Sequence, residues 1–299
     1  MKVKASQNPS RRLGLLFLTV LLIATLAAAI AACSSGNSST AYKSDQLILA
    51  TTTSLKDSGL LDDVVLPAFK QAYPGITVKT LAVGSGEAIQ FGMDGEADVL
   101  LVHSPKDEAT FMEEGYGTVR LPVAYNYFVI VGPAKNPARV ENEQTAAEAF
   151  AAIAKGTSTF VSRGDDSGTN KKELAIWEAA GVTPKGGWYI STGQGMGETL
   201  QVASERQGYT LTDLSTFLSM KDTLDLKVLT KQSGDLKNVY SVIVCNQLKH
   251  DKVNAAAAEM FAQLLVTLDI QKAIGEYGKD KVGQALFFPN SGALGGEGY

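Results

Sequence analysis

The chain has 299 residues, 45% hydrophobic and 19% charged, with a mean hydropathy of +0.02, values of a globular protein and not of a collagen-like, disordered or membrane-filling one. Lys2, Lys4, Arg11 and Arg12 precede residue 33 with no acid beside them, so of 27 basic side chains 23 remain against 31 acidic ones, which excludes a non-specific nucleic-acid binder. Two cysteines, Cys33 and Cys245, and two histidines exclude a disulfide framework and a Cys/His zinc cluster.

The basic start runs into an apolar stretch over residues 13–32, and together they read as a signal peptide, residues 1–32. The stretch is close to the roughly 20 residues that span a bilayer, so an uncleaved anchor is the competing reading. Ile30-Ala31-Ala32-Cys33 favours cleavage. It resembles the lipobox of bacterial lipoproteins, which implies that Cys33 is diacylated and becomes the first residue. Residues 33–45, rich in Ser, Gly, Asn and Thr, form a flexible tether. The expected location is extracytoplasmic, with the protein anchored to the cell membrane through Cys33.

Leu47-Ile48-Leu49-Ala50 is a buried-strand pattern leading into Thr51-Thr52-Thr53-Ser54 and an apolar helical stripe at Leu60, Leu61, Val64, Val65, Ala68 and Phe69. Pro74-Gly75 stops that helix. A second strand at residues 76–81 reaches Gly84-Ser85-Gly86 and a helix at 87–93, and residues 97–102 give a third strand. Strands alternating with helices predict an α/β fold with a largely parallel sheet. Tyr127-Phe128-Val129-Ile130-Val131-Gly132 and Tyr240-Ser241-Val242-Ile243-Val244-Cys245 resemble each other and read as two strands crossing between lobes. Lobe I is then 46–124 plus 245–299, and lobe II 125–244. The competing reading makes both central strands of one sheet.

Within the second stretch, residues 146–154 read as a helix, 159–161 as a strand, 171–180 as a helix closed by Gly181, and Glu198 to Arg206 as another helix after a short strand at 188–190. Asn254 and the four alanines after it open a further helix. Cys245 reads as a packed apolar residue.

A strand ending in Thr51-Thr52-Thr53-Ser54 before a helix places hydroxyls and unpaired backbone N–H groups where the helix dipole favours an anion. Ser167-Gly168-Thr169 repeats the device, and Arg163 adds a fork of donors. Ser or Thr before a helix is most often an N-cap, and Arg163 beside Asp165 and Asp166 is by itself most often a local ion pair. The repetition, once per lobe with a cation in one, carries the functional reading. Ser85 offers a third donor. Ser191 to Gly197 is a weaker candidate, because Gly193, Gly195 and Gly197 lack the dinucleotide-binding spacing. His103 reads as a hydrogen-bonded structural histidine and His250 as a solvated one. Tyr125, Tyr127 and Tyr240 read as hinge packing.

The segments at residues 49–61 and 97–103, with Ser162-Arg163-Gly164-Asp165-Asp166-Ser167-Gly168-Thr169, resemble the tungstate-binding proteins of tungstate ABC importers over most of residues 46–290. The resemblance implies a type II periplasmic-binding-protein fold, two α/β lobes each with a mostly parallel sheet flanked by helices, joined by two crossing strands. It also implies delivery of the ion to a membrane permease and its ATPase. The family's ligands map onto Thr52, Thr53 and Ser54 and onto Arg163, Ser167 and Thr169. Ser85 and Gly168 join them from the reading of the turns. Asn170 departs from the histidine often found there.

The expected ligand is tungstate or molybdate, both fully deprotonated dianions that suit a donor-only pocket. Phosphate keeps a proton and rewards a carboxylate, so a cleft-facing Asp165 or Asp166 would favour it. Phosphate or sulfate binding is therefore the alternative within this fold. A lipid-anchored hydrolase lacks support, since Gly84-Ser85-Gly86 is not a nucleophile elbow and no metal-ligand spacing occurs. A sensor lipoprotein is a third reading. The protein is expected to be a monomer, not an enzyme, with no cofactor, no resident metal and no nucleic-acid partner.

Overall fold

A computed structural model describes residues 45–230 and 234–292. The signal peptide, Cys33 and nearly all of the tether fall outside those residues. Among the described residues no helix is long and apolar enough to cross a membrane.

In chain order the elements are β1 (Gln46–Thr52), α1 (Thr53–Asp57), α2 (Leu66–Ala72), β2 (Thr77–Val83), α3 (Ser85–Met93), β3 (Val99–Val102), α4 (Pro105–Glu113) and β4 (Gly117–Gly132). There follow α5 (Ala146–Lys155), β5 (Phe160–Ser162), α6 (Gly168–Ala179), β6 (Tyr189–Ser191), α7 (Met196–Glu205), β7 (Thr210–Asp213) and α8 (Leu214–Met220). The chain ends with β8 (Lys227–Val228), β9 (Lys237–Cys245), α9 (Ala255–Leu265), α10 (Leu268–Glu276), α11 (Lys279–Val282) and β10 (Phe288–Pro289).

β1 pairs in parallel with β2 on one side and β3 on the other. In the second half β5 pairs in parallel with β6. The antiparallel pairs all involve the two long strands β4 and β9, which lie side by side from Gly117↔Cys245 to Tyr127↔Lys237 and carry β3, β7, β8 and β10 on their flanks. The result is a two-lobed α/β fold in which β4 and β9 are the joint.

Side-chain alternation along each strand builds a core on both faces. Leu47, Leu49, Val99, Leu101, Val242 and Val244 face α9, α10 and Phe69, whereas Ala50, Leu100, Val102, Ile243 and Cys245 face α3 and Phe111. In the other lobe Phe128 and Ile130 pack with Phe150, Phe160 and Trp177, and Val129 and Val131 pack with Met196, Leu200 and Phe217. β4 leaves the first core at Ala124 and enters the second at Phe128, and on the way back the chain leaves the second core at Leu236, just before β9, which enters the first at Tyr240. The segment between those points carries Asn126 paired with Asn238. Burial raises the Cys245 thiol pKa, so it stays a packing group.

α4, β7, α8, α10, α11 and the short strands β8 and β10 were not anticipated. α8 begins at Asp213, whose carboxylate accepts from the Thr216 N–H as an N-cap. His250 differs from its expectation. Its Nε2 meets the Met93 carbonyl at 2.6 Å and its ring lies 6.4 Å from that of Tyr116, so it packs against the α3 terminus and is not simply solvated.

Candidate functional site

Four helix starts converge between the lobes: α1 and α3 from one, α6 and α7 from the other. Thr52 and Ser167 are N-caps, accepting from the N–H of Leu55 at 3.3 Å and of Asn170 at 3.2 Å. The cap interaction uses a lone pair and leaves each hydroxyl proton to donate. Gly84 and Gly195 cap α3 and α7 without a side-chain bond, so the backbone N–H groups at those starts have no side-chain acceptor at the cap position.

The two expected turns lie against each other. The Arg163 Nη2 donates to Thr53 Oγ1 at 3.2 Å, from one lobe to the other. A Cβ on Gly84 would stand 3.2 Å from the Cα of Ser167, and one on Gly168 would stand 2.9 Å from both Ser85 Oγ and the His103 carbonyl. Only glycine lets these backbones approach so closely. Gly195 brings the Ser191 to Gly197 turn in as well, because a Cβ there would lie 3.9 Å from Thr53 Oγ1.

Every residue expected to hold the anion sits at or beside this junction, and all but Thr53 are buried. At this junction two buried donors have no hydrogen-bond partner among the described residues, Arg163 Nε and Thr169 Oγ1. A buried unsatisfied donor costs about 1–3 kcal/mol, more for a charged one, so the junction is built for an acceptor. The two aspartates do not supply it. Asp165 is occupied, accepting from Arg163 Nη2 at 2.5 Å and from the Ser167 N–H at 3.2 Å. Asp166 faces solvent at the rim, its side chain 78% exposed, between Lys171 at 3.5 Å and the start of α3 at Gly86. Lys171 also reaches Asp107 of the other lobe at 2.5 Å.

The first turn is more differentiated than its sequence suggests. Thr51 Oγ1 donates to the Leu101 carbonyl, and Thr52 and Ser54 hydroxyls lie 3.2 Å apart. Ser54 Oγ approaches His103 Nε2 at 3.3 Å, and His103 Nδ1 approaches Asn238 Oδ1 at 2.9 Å. Burial pushes the imidazole down to about 4, against the opposing pull of the Asn238 bond, so His103 is neutral near pH 7. A hydroxyl, an imidazole and an orienting amide follow the order of a nucleophilic site, but Ser54 is completely buried and the imidazole 3% exposed. The histidine orders a hydroxyl; it does not activate it for attack on substrate.

Asp57 was not singled out from the sequence. Burial above all, with the Glu198 and Asp213 carboxylates, raises its pKa to about 6. It closes the rim beside Gly197 of α7. No sequence pattern joins Asp57 to Glu198, since the pairing exists only when the lobes meet.

A PBP superfamily domain matches residues 28–267. The tungstate-binding protein TupA of Peptoclostridium acidaminophilum is 47% identical over 247 residues, 82% of this chain and 86% of that one. The chain belongs to the tungstate-binding protein family of this superfamily. The crystal structure of the tungstate ABC transporter from Geobacter sulfurreducens, 42% identical, aligns with a TM-score of 0.71 over 78% of this chain and 98% of that one. The TupA structure from Desulfovibrio alaskensis G20, 41% identical, aligns with a TM-score of 0.67 over 82% and 99%. The family is one of transport binding proteins and not of enzymes.

Proposed function

We propose that this family member captures tungstate or molybdate between its lobes and hands it to an ABC permease driven by its ATPase. The observation that carries the reading is the pair of buried, unpartnered donors, Arg163 Nε and Thr169 Oγ1, at a junction of helix starts from both lobes. Arg163 supplies the charge, Thr53 and Ser167 supply hydroxyl protons, and the starts of α1, α3 and α6, at Thr53-Ser54, Ser85 and Gly168-Thr169, supply backbone N–H groups. Thr52 and Ser54 hydroxyls hold the first turn in shape.

The occupied Asp165 and the solvent-facing Asp166 support a fully deprotonated dianion over phosphate, because neither carboxylate is left to accept a ligand proton. Lobe I takes in residues 46–124 and the C-terminal segment, and lobe II the stretch from 125. The packing of Tyr240 and Val242 supports a second boundary nearer Asn238 than Val244. The mature protein is a monomer held outside the cytoplasmic membrane by lipid on Cys33, after removal of residues 1–32.

Calorimetry on residues 34–299 tests the ligand. One tight site for tungstate and weak binding of phosphate and sulfate are expected; phosphate binding equal to or tighter than tungstate overturns the assignment.

A further inference from the structure

Asn126 and Asn238 face each other in the β4 and β9 ladder, 1% and 2% exposed, where the chain passes from one core to the other. Buried amides cost free energy unless fully bonded. Asn238 Nδ2 donates to Asn126 Oδ1 at 2.8 Å and to Tyr240 Oη at 3.1 Å, which turns Asn238 Oδ1 toward His103 Nδ1. That nitrogen therefore carries the imidazole proton, and the bare Nε2 accepts from the Ser54 hydroxyl. In the other direction Asn126 Nδ2 donates to Ser215 Oγ at 2.9 Å and Asp213 Oδ1 at 3.3 Å. The Thr216 hydroxyl shares its one proton between Asp213 Oδ2 at 2.8 Å and the Ser54 carbonyl at 3.3 Å, where the path began.

The geometry points to a single hydrogen-bonded ring, Ser54–His103–Asn238–Asn126–Asp213–Thr216, that couples the hinge strands to the first binding turn. His103, Asn126, Asn238 and Thr216 are positioning residues in it. The inference rests on the oxyanion-capture reading. The ring draws on β3, both crossing strands, α8 and α1, so rotation about the crossing strands separates Thr216 from Ser54 and opens it. Closure completes it. From Ser54 through His103, Asn238 and Asn126 every donor points toward Asp213, and from the other side the single Thr216 proton bridges Asp213 and the Ser54 carbonyl, so the Ser54 proton is committed to His103 and the turn has one arrangement in the closed state. A ligand whose competent state is a fraction of the population binds more weakly by that fraction.

Thr216→Val removes the hydroxyl at nearly constant volume. Loss of its link to Ser54, the bond that opening breaks, is worth about 1 kcal/mol and raises the tungstate Kd about fivefold, through faster dissociation at an unchanged association rate. Thr216→Ser restores the wild-type value. Because they act on opposite arms of one ring, Thr216→Val and His103→Gln combine to less than the product of their separate effects. Spin labels at Lys79→Cys and Lys155→Cys, exposed positions one in each lobe, in a Cys33→Ser background, show the ligand-free variants shifted toward longer separations. A wild-type Kd in folded Thr216→Val and His103→Gln, or multiplicative effects, overturns the ring. The panel of tungstate, molybdate, sulfate and phosphate tests the ligand separately, since label distances without any anion report on the ring whichever one binds.

Discussion

Arg163 carries the largest single share of the proposed grip. Its guanidinium is 2% exposed, holds Asp165 on one side and Thr53 on the other, and keeps Nε in reserve. Removing one partner of a buried pair leaves the other charge uncompensated, a loss of about 3–5 kcal/mol. Arg163→Ala should therefore weaken tungstate binding by at least a hundredfold in a titration. Wild-type affinity in that variant would remove the cation from the site. Asp57 works against the fold at neutral pH. Its folded pKa, about 6, lies above the unfolded value of 3.8, so its contribution is fully present below 3.8 and is lost as pH rises through 6. Asp57→Asn should raise the melting temperature at pH 7, and the gain should vanish near pH 4. A gain that persists at pH 4 would show that burial of the carboxylate is not the cause. His103 titrates in the opposite sense: its pKa is depressed from 6.5 to about 4, so the stability present above 6.5 is lost as pH falls toward 4.

At the scale of elements, the devices that repeat along the sequence were the legible ones. A strand, a hydroxyl-rich turn and a helix were readable at residues 51–54 and 162–169 because N-capping chemistry is local, and Thr52 and Ser167 do cap their helices. They cap and also lie at the junction of the lobes, so capping is compatible with the proposed ligand role. Ser85 and Gly168 were equally visible as turn residues, but their meeting was not, because it depends on backbones from different lobes touching. Gly168→Ala tests that meeting. The added Cβ falls 2.9 Å from the His103 carbonyl, a backbone atom that cannot swing away. Overpacking costs about 1–3 kcal/mol, yet opening the lobes relieves it. Affinity should fall about tenfold or more while the ligand-free melting temperature changes little, a pattern that calorimetry and thermal unfolding separate. An equal loss in both would place the contact inside the fold and not between lobes. α8 and the Asn126 and Asn238 pair escaped the sequence reading for a related reason. Asp213 announces a cap, but asparagines in a strand look like edge residues until the second crossing strand is laid beside the first.

At the scale of the whole molecule, the α/β alternation and the crossing strands were legible because apolar strand patterns survive in any tertiary context. The limits of the lobes were less so: β9 is apolar from Val239 to Cys245 but for Ser241, and nothing in that run marks where one core gives way to the other. The junction in this structure is closed, with Arg163 on Thr53, Lys171 on Asp107 and Thr216 near the Ser54 carbonyl all bridging the halves. A ligand that takes donors from both halves binds the closed state better, which is the differential affinity that closure requires. A crystal grown with tungstate and measured at the tungsten absorption edge examines this most directly. The account predicts one strong anomalous peak enclosed between Thr53 and Thr169, within hydrogen-bonding reach of Arg163 Nε. A peak bound to one lobe alone, or on the outer surface with the junction unchanged, would contradict it.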